Sequence, residues 1–208
     1  MPLDVGGRDG AAERLAANVL TPTVYAKARE GYRAYVLALK DRRRISLGPL
    51  ATLSFENHET ALYQIHEVLR VEGHSGARVA AEAREYSVLV PEPGELRATL
   101  LIDGECRRRC RALAHRAGKP DVVTISVAGQ QLRCEPVAPA PDPEDPVRYL
   151  RFVVSASARA ALQRPGAVAM VALATTPALS FPLPEPTRAE LATDLCGARP
   201  QTRIGEFT

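Results

Sequence analysis

Tryptophan is absent from this 208-residue chain, and four phenylalanines and six tyrosines supply all its aromatic rings. Proteins that hold single-stranded nucleic acid stack bases on such rings, so this shortage removes one common recognition surface. Long apolar runs are missing too. The longest, Ala167 to Ala174, has eight residues, whereas a membrane helix needs about 20. The N-terminus has no basic start followed by an apolar stretch, so no secretory signal is expected. The four cysteines, Cys106, Cys110, Cys134 and Cys196, form no C-x-x-C pair. That spacing fits reduced thiols in a cytoplasmic protein better than a zinc site or disulfide framework. Lysine is scarce: 24 of the 27 cations are arginine. No P-loop, no G-x-G-x-x-G after a strand, no G-x-S-x-G elbow and no H-E-x-x-H helix is found, so the commonest nucleotide, hydrolase and zinc chemistries have no carrier.

What is present is an ordinary globular composition. Apolar residues make up 46% and charged residues 25%, with a net charge of +3. Such a chain can bury a core and has no global basic excess. Residues 1–20 read as a flexible extension with one weak helical turn, residues 21–197 as one α+β domain and residues 198–208 as a tail. Within the domain, lobes 21–134 and 147–197 are joined by the acidic, proline-rich loop 135–146. Tyr25, Ala28, Tyr32, Tyr35, Val36 and Leu39 recur at helical spacing from Pro22 to about Lys40. Gly31 inside that helix costs about 1 kcal/mol against alanine, so close packing is its expected reason. Two short strands over 43–55 break at Gly48-Pro49. Asn57 caps a helix that Gly73 ends, and Ser75 caps another to about Tyr86. Strands follow at 95–102, in a hairpin about Gly129, and at 147–154, 167–175 and 178–183. Ser155 caps a short helix, and Thr187-x-x-Glu190 is read as the capping box of a last one. The expected fold is a helical N-terminal half packed on a mixed, mainly antiparallel sheet from the C-terminal half.

The charge is unevenly spread. Residues 21–48 carry seven cations against two anions, while residues 56–72 carry four glutamates against Arg70. This pattern points to a polar cluster of Arg33, Lys40, Arg43, Arg44, Glu56, Asn57, Thr60, Gln64 and Glu67. One reading is a set of ion pairs between neighbouring helices, for which the planar fork of arginine suits a carboxylate. The other is a ligand pocket between helices 22–40 and 57–72, where Arg43 or Arg44 and the N–H groups after Asn57 hold an anion. A metal held by Glu56, Glu67 and a histidine is a third arrangement to test.

Two further groups carry less. Cys106 and Cys110 share a helical face among Arg107, Arg108, Arg109 and Arg111. Cations lower a thiol pKa, but two thiols are half a metal site, and core positions on a basic helix explain them as well. His58, His66, His74 and His115 have no shared-ion spacing and read as surface or capping residues. The basic tracts 42–44 and 107–111 could meet phosphate, but no reading helix accompanies them, so no nucleic-acid partner is expected.

Several stretches in combination resemble a bacterial family, domain of unknown function 3501. They are Arg33, LALKDRRRISLGP (Leu37 to Pro49), FENHETALYQIHEVLRVE (Phe55 to Glu72) and VPEPGELRATLLI (Val90 to Ile102). VRYLRFVVSASARAAL (Val147 to Leu162) and EPTRAELATDL (Glu185 to Leu195) extend the likeness. The resemblance implies a non-catalytic accessory protein linked to iron–sulfur or rubrerythrin-type redox and oxidative-stress systems. It also implies a redox protein as possible partner; no cofactor is expected from the residues.

Overall fold

The computed structural model describes residues 5–103, 122–137, 146–175, 178–197 and 204–207. The Cys106–Cys110 pair, Arg107 to Arg111, His115 and residues 138–145 of the acidic loop lie outside the described residues. The chain forms two compact units, one of Met1–Asp41, Glu56–Glu92 and Pro200–Thr208, the other of Arg42–Phe55 and Pro93–Arg199.

The first unit is helical. It holds α1 (Val5–Asn18), most of α2 (Pro22–Arg43), α3 (His58–Glu72) and α4 (Gly76–Tyr86). A flexible lead-in was the expectation for residues 1–20, yet α1 is regular and buries Ala11 and Leu15. Alanine and leucine four apart make a narrow apolar stripe, which suffices where small side chains allow close approach. On α2 the stripe Tyr25, Ala28, Tyr32 and Val36 enters the same core as Leu62, Ile65 and Leu69 of α3. The start of α3 is closed by its own side chains. Asn57 Oδ1 accepts the Thr60 N–H at 3.0 Å, and Thr60 Oγ1 accepts the Asn57 N–H at 3.0 Å. Two orphan helix donors are thereby satisfied.

Gly31 is explained by the C-terminal turn Ile204–Phe207. A Cβ on Gly31 would lie 3.2 Å from Phe207 Cδ1 and 3.3 Å from its Cβ. The Phe207 ring packs on Tyr32 and Tyr35 with centroids 5.8 and 5.7 Å away. Two effects therefore oppose each other in Gly31→Ala: a gain of about 1 kcal/mol in helix propensity and displacement of Phe207. Chemical denaturation is expected to show little or no gain for Gly31→Ala in the native chain. A gain of about 1 kcal/mol is expected once Phe207→Ala has opened the space. Equal gains in both backgrounds would show that Phe207 does not constrain Gly31.

The second unit holds one curled antiparallel sheet of eight strands. They are β1 (Arg44–Ser46), β2 (Ala51–Glu56), β3 (Glu95–Ile102), β4 (Val123–Val127), β5 (Gln130–Pro136), β6 (Val147–Val153), β7 (Ala169–Leu173) and β8 (Leu179–Pro182). Their order is β1-β2-β3-β6-β5-β4-β7-β8. The expected α+β class holds, but its division into a helical half and a sheet half does not. Helices and strands interleave, since β1 to β3 come from the N-terminal half while α5 (Ala156–Gln163) and α6 (Glu185–Leu195) come from the C-terminal half.

Alternation places one sheet face on the core. Leu53 and Phe55 of β2, Leu96 and Leu100 of β3, Leu132 of β5, and Leu150 and Phe152 of β6 are all buried there. Leu162 of α5 and Leu191 of α6 join the same cluster. Strand β5 pairs with β4 through Gln130 to Arg133 and with β6 through Cys134 to Pro136. Where the first ladder stops, the buried thiol of Cys134 accepts the Val123 N–H at 3.4 Å. The β4–β5 turn has positive φ at Ala128 (45°) and Gly129 (81°), as a two-residue hairpin loop requires.

Helix α6 differs from expectation at its start. It begins at Glu185 with Pro186 in its first turn, and Thr187 is buried rather than capping. Proline lacks the N–H that a capping side chain would serve, so it opens the helix without one. Among the described residues, no helix is long and apolar enough to cross a membrane.

Candidate functional site

The expected polar cluster is divided by the fold. In the sheet unit, Arg43 is buried. Its Nε donates to Phe55 O at 2.9 Å, Nη2 pairs with Asp194, and Nη1 lies 3.7 Å from Glu190. Exposed Arg42 also reaches Glu190, at 2.7 Å, while Arg44 is exposed on β1. In the helical unit, Glu56 accepts the Thr60 hydroxyl at 2.6 Å beside the Asn57 cap. Lys40 sits 5.5 Å from the centroid of the Tyr63 ring, Gln64 is half-buried and Arg33 is exposed. The Thr60 N–H is thus taken by the Asn57 side chain in a capping box, and Arg43 is held by Asp194, Glu190 and Phe55.

A concave site lies within the helical unit, further along the same two helices. A cavity of about 460 Å³ is lined by Leu20, Pro22, Tyr25, Ala26, Arg29 and His66, with Leu69, Arg70, Gly73 and His74 completing it. Its volume falls in the range of small-molecule pockets. Pro22 opens α2 at the mouth, and the last two turns of α3 supply the opposite wall. His66 corrects the reading of the histidines as surface or capping groups, because it is 2% exposed. Leu62, Ile65 and Leu69 stand at helical spacing, and His66 falls on their stripe. That spacing was the signal in the sequence.

Every hydrogen-bonding atom of His66 is used. Nε2 accepts the Leu20 N–H at 3.0 Å, so the ring proton is on Nδ1, which donates to Leu62 O at 2.9 Å. Burial holds the imidazole neutral and pulls its pKa down to about 4, with His74 adding a smaller push and Leu62 O and Glu67 opposing. Tyr25 stacks on His66 with centroids 4.4 Å apart and planes 12° apart. Burial, followed by the hydrogen bond to Glu67, raises the Tyr25 phenol, so its hydroxyl stays a donor.

Behind this wall stands a carboxylate clamp. Glu67 Oε1 accepts from Tyr25 Oη and Arg29 Nε, both at 2.8 Å, and Oε2 accepts from Arg29 Nη2 at 2.8 Å. Arg70 Nε lies 3.5 Å from Oε1. The Arg29 guanidinium, first of all, holds the Glu67 carboxyl down to about 2. Glu67 is the one member of the expected cluster that touches this site. Arg29, Tyr25, His66 and Arg70 were not assigned to it.

The His66 imidazole has no free lone pair near neutral pH, and the Tyr25 phenol cannot serve as a base there. Among the described residues, no group of three or more His, Cys, Asp or Glu gathers as a metal site does. Glu56 and Glu67, proposed with a histidine as metal ligands, are engaged by Thr60 and Arg29 instead.

The fold and this site describe an α+β protein with a helical unit that carries a preformed cavity. The family described as "Protein of unknown function (DUF3501)" matches residues 15–195, and the chain belongs to it. Its structure is similar to the crystal structure of a novel protein of unknown function from Burkholderia pseudomallei K96243. The two share 31% identity over 85% of this chain and 96% of that one, with a TM-score of 0.73. No curated protein matches the chain.

Proposed function

We propose that the helical unit is a small-molecule-binding module, with its ligand seated between the first turns of α2 and the last turns of α3. The observation that carries this reading is the cavity of about 460 Å³ with its wall already ordered. Tyr25 and His66 are stacked, and His66 ties down the backbone at Leu20. A site whose walls are fixed before binding loses less conformational entropy on binding. The redox accessory role and redox partner implied by the resemblance draw no support from the comparisons and remain carried by the resemblance alone.

Ala26→Trp tests the module. Ala26 is exposed and lines the cavity, so the indole fills the space without entering the core. The chain has no other tryptophan, so the variant also carries its own single fluorophore. A fragment library screened by ligand-observed NMR is expected to give saturable binders of the native chain that Ala26→Trp abolishes. Binders that persist unchanged in a folded Ala26→Trp protein would overturn the reading.

A further inference from the structure

Resting on that reading, we propose that the cavity takes a monocarboxylate with a compact apolar or aromatic body, its head on Arg29 and Arg70. The lining carries two guanidinium groups and no acidic side chain. The nearest carboxylate, Glu67, stands behind them and balances one charge of the two. One positive charge is left over, which a monoanion neutralises and a doubly charged phosphate overshoots. The carbonyl end of α3 opposes an anion with about half a charge, less than the surplus.

The donors are suited to a carboxylate. Arg29 already grips one in bidentate fashion with Tyr25 assisting, so Glu67 displays the preferred geometry of this group. Among the described residues, Nη1 of Arg29 has no hydrogen-bond partner, and Arg70 is half exposed with its only contact the long one to Glu67. These are the donors available to a ligand. The rest of the lining fixes the ligand's body. Leu20, Pro22, Ala26 and Leu69 are apolar, and the Tyr25–His66 stack presents ring surface. An apolar body with one charged end satisfies both parts, whereas a sugar or a polyanion leaves the apolar walls or the single surplus charge unmatched.

In this arrangement Glu67 is a positioning residue that also competes with the ligand for the arginines. Its neutral isostere strengthens the site for an anion. Isothermal titration calorimetry of the full chain with hexanoate and phenylacetate, and with hexanamide and phenylacetamide as neutral isosteres, tests the assignment. The acids are expected to bind at least tenfold more tightly than their amides. Arg70→Gln is expected to remove most of that preference, and Glu67→Gln to tighten acid binding about threefold or more through the lost repulsion. Inorganic phosphate is expected to compete weakly or not at all. If acids and amides bind equally and Ala26→Trp abolishes both, the cavity binds ligands but the carboxylate assignment is wrong. Acid binding weakened by Glu67→Gln, or phosphate bound as tightly as the acids, likewise overturns the assignment. If neither series binds saturably, both the assignment and the module reading fail.

Discussion

Arg43→Met is expected to destabilise the sheet unit by about 3–5 kcal/mol, the usual cost of removing one partner from a buried charge cluster. Arg43 is 1% exposed, while the side chains of Asp194 and Glu190 are 8% and 11% exposed. Without the guanidinium, two carboxylates four residues apart on α6 lose their buried counter-charge. Phe55 O also loses its donor. Arg42 keeps its contact with Glu190, but at 46% exposure it screens little. Urea denaturation followed by circular dichroism measures the loss. A second variant separates charge from volume. Arg43→Met combined with Glu190→Leu and Asp194→Leu removes the whole cluster, and most of the lost stability is expected to return. A loss below about 1 kcal/mol for the single change would show that Arg43 does not hold these carboxylates.

Lowering the pH from 6.5 to 4 is expected to cost about 3 kcal/mol of stability through His66. In the folded chain its pKa is about 4, against an ordinary 6.5. Between those values the unfolded chain binds the proton and the folded chain does not, so stability rises with pH. The His66 contribution is complete above about 6.5, falls as the pH drops to about 4, and is constant below. A difference of about two and a half pKa units corresponds to about 3 kcal/mol. His58 acts in the same direction, since burial and then Arg14 lower it too. Glu67 acts in a lower window. Its depressed pKa adds stability above an ordinary 4.5 that is lost as the pH falls through about 2. His66→Gln can still accept the Leu20 N–H but cannot titrate. Denaturation at several pH values should therefore show a shallower slope between 6.5 and 4 for this variant, with the residue from His58. An unchanged slope would locate the acid sensitivity elsewhere.

Local features of the fold were legible in the sequence because local chemistry sets them. Asn57 and Thr60 stand three apart at a helix start, Gly73 ends that helix with φ of 97°, and Ser75 caps the next. Gly48 and Pro49 divide β1 from β2, and Gly31 announced a close neighbour. That neighbour, Phe207, could not be named, because 176 residues separate the two. The strand order was hidden for the same reason. β3 lies beside β6 and β4 beside β7, pairings that hydrophobic alternation does not specify. Helix α1 was missed because its buried stripe is mostly alanine.

The cations of residues 29–44 are expected from the sequence to have partners inside the protein, with glutamates of the next helix as the nearest candidates. For Arg29 that holds, through Glu67. Arg42 and Arg43 instead reach Glu190 and Asp194, almost 150 residues further on. Charge patterning indicates that a cation needs a partner, not which one the tertiary fold delivers. His66 stands on the apolar stripe of α3, where burial and two bonded nitrogens make it a core residue and polarity alone does not reveal its place.

Strand β5 divides its pairing between its two neighbours along its length. Its first four residues ladder with β4 and its last three with β6, with the Cys134 thiol reaching back to Val123 of β4. Four strands on one side and three on the other are therefore stitched together by a single seven-residue segment, used once in each direction. The seam falls between Arg133 and Cys134, where the curl of the sheet can concentrate without breaking either ladder. A one-residue shift of β5 would misalign both ladders together and turn Leu132 and Cys134 out of the core. The register of the two flanks is therefore a single choice, made once, at this strand.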